Sequence, residues 1–114
     1  MKVENIKTQM RKGLLEYCIL SILEHDEAYV GEILEKLKKA ELIVVEGTIY
    51  PLMTRLKNAE LLGYRWQEST GGPPRKYYHL TDKGKMFLKE LSTTWSNLEN
   101  SINFITTQNS QSNE

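Results

Sequence analysis

Two groups of side chains in this sequence have the chemistry that meets phosphate oxygens and base edges. Thr48, Tyr50, Thr54, Arg55 and Lys57 lie close together in one stretch. Short hydroxyls, a phenol and cations are the donors such contacts use. The second group is Gly72, Arg75, Lys76 and Tyr77. Gly71 and Gly72 permit positive φ and Pro73 and Pro74 stiffen the same segment, so two cations stand beside a shaped turn. Each group also has a plainer reading, as the polar face of a surface helix or as a solvated hairpin tip. Lys7, Arg11 and Lys12 share roughly one face of a first helix, where they would either touch phosphates or merely keep the surface soluble.

These residues need elements to hold them. Apolar residues recur at three- and four-residue steps from Ile6 to Leu23, which predicts a first amphipathic helix ended by EHDEA. Tyr29, Val30, Ile33, Leu34 and Leu37 predict a shorter second helix. Residues 40–47 read as a turn or short strand, because Leu42, Ile43, Val44 and Val45 favour extended backbone while Gly47 breaks the pattern. Ile49, Leu52, Met53 and Leu56 share the core face of a third helix, with Gly47 or Thr48 as its N-cap and Pro51 in its first turn. That helix closes at Leu61, Leu62 and Gly63.

Two aromatic-rich runs, 64–69 and 76–80, flank TGGPP and predict a hairpin whose loop is longer than two residues. Tyr77 and Tyr78 then point to opposite faces, so one packs and the other stays available. A last helix starts at Thr81 and runs to about Ile105, ahead of a polar tail expected to be disordered. Along it Leu88, Leu91, Trp95, Leu98, Ile102 and Ile105 alternate steps of three and four, a heptad seam that wants a partner helix. The seam predicts a homodimer, with Trp95 as an aromatic anchor of its interface.

At 114 residues the chain fits one unit, divided by this reading into 1–80, a helix at 81–106 and a tail at 107–114. Lys plus Arg and Asp plus Glu number 15 each, which argues mildly against a nucleic-acid binder of the strongly basic type, yet the charges segregate. Residues 47–58 and 71–79 carry cations and no acid, which allows a positive face on a neutral molecule. No apolar run approaches a membrane span and the N-terminus lacks a secretory pattern, so the expected location is cytoplasmic. Cys18 is the single cysteine and sits in an apolar stripe, where a thiol behaves as a small hydrophobe. With His25 and His79 far apart there is no zinc spacing, and no metal or other cofactor is expected. No phosphate loop, carboxylate pair or nucleophile elbow argues for an enzyme.

Helix, helix, helix, hairpin, helix is the winged helix-turn-helix order, a mainly α fold with a small β-hairpin and, here, a long C-terminal helix. Within it, EGTIYPLMTRLKNAELL at 46–62 and GGPPRKYYHLTDKG at 71–84 resemble the recognition helix and wing of PadR-family regulators. The resemblance covers roughly residues 10–105 and implies a dimeric repressor of the family's shorter kind, binding double-stranded DNA. It departs at AYVGEI, where the family tends to show a Tyr-Gly pair. Multidrug-responsive relatives hold planar drugs between Trp residues at the place matching Trp95, which implies a possible small planar aromatic ligand here. The alternative is a winged-helix module that binds proteins without reading DNA.

Overall fold

The computed structural model describes residues 1–112, with side chains through residue 108. Five helices and one hairpin follow in the order α1 (Val3–Arg11), α2 (Leu14–Ile22), α3 (Val30–Lys39), α4 (Glu46–Asn58), β1 (Leu62–Ser69), β2 (Gly72–Leu80) and α5 (Asp82–Ser112). The single first helix expected from Ile6 to Leu23 is two helices. Gly13 adopts φ +88° between them, a left-handed conformation that turns the chain while the apolar period continues across it.

One apolar core holds α2, α3, α4, the hairpin and the first turns of α5. Ile19, Leu20, Ile33, Leu37, Ile49 and Met53 are fully enclosed there. Burying an aliphatic side chain of this size contributes about 1.5–3 kcal/mol, so this cluster is the main source of the domain's stability. Helices α3 and α4 end alike. Glu41 and Glu60 take φ of 63° and 65°, and Leu42 and Leu61 donate their N–H groups back to Leu37 and Leu56 at 2.8 and 3.0 Å. Each is a Schellman cap with leucines at the two positions where such caps place apolar residues, built on glutamate instead of glycine. Residues 40–45 are therefore a turn and an extended link; the brief strand is absent.

Helix α4 starts earlier than expected. Val45 is its N-cap, which moves Thr48 to the third helical position and Pro51 out of the first turn. The hairpin is also longer than expected. Leu62 pairs with Leu80 and the register continues to Ser69 opposite Gly72, with an irregularity after Gln67. The connection is thus two residues, Thr70 and Gly71, with Gly71 at φ +78°. Pro73 and Pro74 lie inside β2 where the register to β1 is irregular; of the two adjacent prolines one turns its nitrogen to the open edge and the other falls at that irregularity, so neither breaks a regular ladder bond. A bridge between Ala28 and Tyr78 ties the hairpin to the link before α3.

Thr81 caps α5, its hydroxyl accepting from the Gly84 N–H at 3.0 Å and donating to the Glu60 carbonyl at 2.6 Å. The helix continues through Ser112, so residues 107–112 extend it where a tail was expected. Residues 113–114 of that tail lie outside the described residues.

Candidate nucleic-acid interface

The two faces of α4 separate as its period requires. Ile49, Met53 and Leu56 are buried and Leu52 is half-buried, while Thr48, Tyr50, Thr54, Arg55 and Lys57 are exposed. Glu46, Tyr50 and Thr54 occupy successive turns and line a cleft of about 490 Å³. Across the cleft stand Arg75, Lys76 and Trp66 of the hairpin and Tyr29 at the start of α3. The structure therefore brings Tyr50 and Thr54 of the first expected group together with Arg75 and Lys76 of the second, whereas Thr48, Arg55, Lys57, Gly72 and Tyr77 do not line the cleft. Glu46 and Trp66 are additions that the sequence reading missed. Glu46 would have followed from placing the helix start two residues earlier, since it precedes Tyr50 by four.

Arg55 is not free. Its guanidinium pairs with the Glu16 carboxylate of α2. Lys57 lies 5.9 Å from the centre of the Tyr64 ring, at the edge of cation–π range.

Strand alternation gives the hairpin two different faces. On one, Lys76 Nζ sits 4.5 Å from the Tyr64 centroid and 5.2 Å from that of Trp66, which is itself 60% exposed. On the other, Glu27 accepts hydrogen bonds from Arg65 Nε at 2.9 and 3.0 Å and also pairs with its terminal nitrogen. Arg65 lies 5.0 Å over Tyr77, Tyr77 meets Tyr29 edge-on at 5.4 Å, and Arg75 lies 4.4 Å over Tyr29. The Arg65 guanidinium holds the Glu27 carboxyl below its ordinary range. Of the two adjacent tyrosines Tyr78 is the packed one, 7% exposed, and its burial pushes the phenol pKa upward. Tyr77 is half-buried, engaged with Tyr29 and Arg65, and offers only part of its ring. Gly72 opens β2, exposed, beside the turn. Among the described residues neither Arg75 nor Lys76 pairs with a carboxylate.

Lys7, Arg11 and Lys12 are exposed at α1 and its end, with Lys7 3.4 Å from Glu4. On α5 the expected seam divides. Leu88 is buried and Leu91 half-buried against the chain's own core, whereas Leu98, Ile102 and Ile105 are 52%, 53% and 56% exposed. Trp95 is half-buried and lines an apolar cavity of about 240 Å³ with Leu14, Leu15, Tyr17, Cys18 and Leu42. Burial pushes the Cys18 thiol pKa up, in keeping with a packing role. Among the described residues no cluster of His, Cys, Asp and Glu could hold a metal ion, and no helix is long and apolar enough to cross a membrane.

Comparison with known proteins agrees with this geometry. Residues 19–90 match the Transcriptional regulator PadR-like family. A solved PadR-like transcription factor from Bacteroides fragilis is 60% identical, with a TM-score of 0.76 over 89% of this chain and 98% of its own. A PadR-like transcriptional regulator from Bacillus cereus is 42% identical, with a TM-score of 0.77 over 85% and 95% of the two chains. A PadR family regulator from Eggerthella lenta is 33% identical, at 0.77 over 90% and 87%. A cleft built from an exposed helix face and a cationic wing, on a fold shared along nearly the whole length of such regulators, places this chain in the PadR-like family of transcriptional regulators, which are not enzymes.

Proposed function

We propose that this chain binds a pseudo-palindromic DNA operator as a homodimer and represses transcription by occupying it. Residues 1–80 supply the DNA-binding unit and 81–106 the dimerisation helix. The observation that carries the reading is the convergence of the exposed α4 face with Arg75 and Lys76 on one cleft. In this arrangement α4 enters the major groove, where Thr48, Tyr50, Thr54 and Arg55 meet base edges. The wing, with Gly72, Arg75, Lys76 and the free edge of Tyr77, runs along the adjoining backbone with Lys57, contributing affinity more than sequence choice. Work of this kind places the protein in the cytoplasm. A small planar aromatic ligand near Trp95 releases the operator by favouring another arrangement of the two subunits.

Selection of bound duplexes from a random pool tests the reading. The expected product is an inverted repeat whose half-sites are centred about 10–10.5 base pairs apart, or a multiple of that. Failure to enrich any sequence, with no affinity for duplex DNA at low salt, would favour a winged-helix module that binds proteins instead.

A further inference from the structure

The start of α3 carries a feature that the fold does not need. Tyr29 is the N-cap residue of α3, yet its ring is laid back over the first turn of the helix. Gly31 makes this possible. A Cβ on Gly31 would lie 2.6 Å from Tyr29 Cε2 and 3.2 Å from Cδ2, so any other residue there would displace the ring. Gly31 has ordinary helical backbone and is exposed, so neither backbone strain nor core packing calls for glycine. Alanine favours helix over glycine, so helix propensity does not call for glycine here either.

What the displaced ring would lose is Arg75. The guanidinium lies 4.4 Å from the Tyr29 centroid, and the far side of the arrangement is braced by Tyr77 edge-on to Tyr29, with Arg65 over Tyr77 and Glu27 holding Arg65. A guanidinium stacked on a ring keeps its in-plane N–H groups outward, free to bind an anion bidentately. Stacking also removes much of the rotamer freedom that a long side chain on a hairpin would otherwise lose on binding. We propose that Tyr29, seated over Gly31, is a positioning residue that aims Arg75 of the wing at a DNA phosphate. The inference rests on the duplex-binding reading above.

Four variants test it: Gly31→Ala, Tyr29→Leu, Tyr29→Phe and Arg75→Ala, each compared with the parent for binding to sheared mixed-sequence duplex DNA across a salt series. A phosphate contact accounts for a slope of about 0.9 in log K against log salt, and Arg75→Ala sets the full loss for one contact per subunit. Gly31→Ala and Tyr29→Leu are expected to lose most of that same slope, while Tyr29→Phe, which keeps the ring face, retains it. Thermal unfolding should show Gly31→Ala still folding cooperatively, with a melting temperature well above the binding temperature, so its loss of slope cannot be laid to unfolding. Parental slope in both Gly31→Ala and Tyr29→Leu, with Arg75→Ala reduced, would overturn the positioning role and leave duplex binding intact. Absence of duplex binding by the parent would remove the functional reading and this role together.

Discussion

Arg55 and Tyr50 stand on the same exposed helix face but in different states of readiness. Tyr50 is half exposed and lines the cleft. Its substitution by alanine should narrow the gap between preferred and random duplexes by about 1–3 kcal/mol if it reads a base, measured by competition titration. A uniform loss across sequences would mark it as a backbone contact. Arg55 is already engaged by Glu16. Because the Arg55 side chain is 64% exposed, the pair is worth little to stability, under about 1 kcal/mol. Its larger consequence is electrostatic, since Glu16 cancels a cation that would face DNA. Glu16→Gln is therefore expected to leave the melting temperature nearly unchanged and to raise affinity for mixed-sequence duplex, read by fluorescence anisotropy at low salt. Unchanged affinity would mean that Arg55 faces solvent in the complex.

The elements show what a linear reading can and cannot reach. The core faces of α3 and α4 were legible because an amphipathic helix writes its buried stripe at steps of three and four. The break at Gly13 was not, because Leu14, Leu15 and Ile19 continue the stripe as though the helix were unbroken. Pro73 and Pro74 look like loop residues until the sheet is seen to have only two strands, both of them edges. The ion pairs that steer the site were also out of reach, since Glu16 and Arg55 stand 39 residues apart and Glu27 and Arg65 38. The second pair fixes the hairpin to the turn before α3 and gives it a pH dependence. The folded-state pKa of Glu27 lies below its unfolded value, so the contribution is present above the ordinary glutamate range and is lost as pH falls through the folded pKa. Glu27→Gln should accordingly flatten the fall of melting temperature on acidification below about pH 4.3, the usual glutamate value. A parallel acid profile in the parent and the variant would show that the wing is held by its backbone bridge to Ala28 alone.

At the scale of the molecule, α5 is longer than the domain can cover. Its 31 residues extend about 46 Å at 1.5 Å each, and only the first turns rest on the core. Beyond Trp95 the apolar seam of Leu98, Ile102 and Ile105 is exposed, and α1 leaves Val3 and Met10 exposed at 65% and 69%. Apolar surface in such stripes is characteristic of an interface, and a second copy offers the same stripe by two-fold symmetry. If the seam joins two copies as proposed, Leu98→Asp puts a charge into it, and sedimentation is expected to show dimer for the parent and monomer for the variant. A dimer of undiminished affinity would locate the interface elsewhere. The same seam decides whether Trp95 senses a ligand. Trp95 already closes a small apolar cavity within its own subunit, so a planar ligand must either enter beside it or pack where two subunits meet. In a Trp66→Phe background Trp95 is the only indole left, and titration with a planar cationic dye should quench its emission. Coupling to DNA demands more than binding, because an effector changes operator affinity only by the factor by which operator changes its own. The dye is thus expected to bind more weakly to the operator complex than to the free protein, by the same ratio that it weakens the operator. Equal dye affinity in the two states would leave Trp95 as a packing residue without a regulatory role.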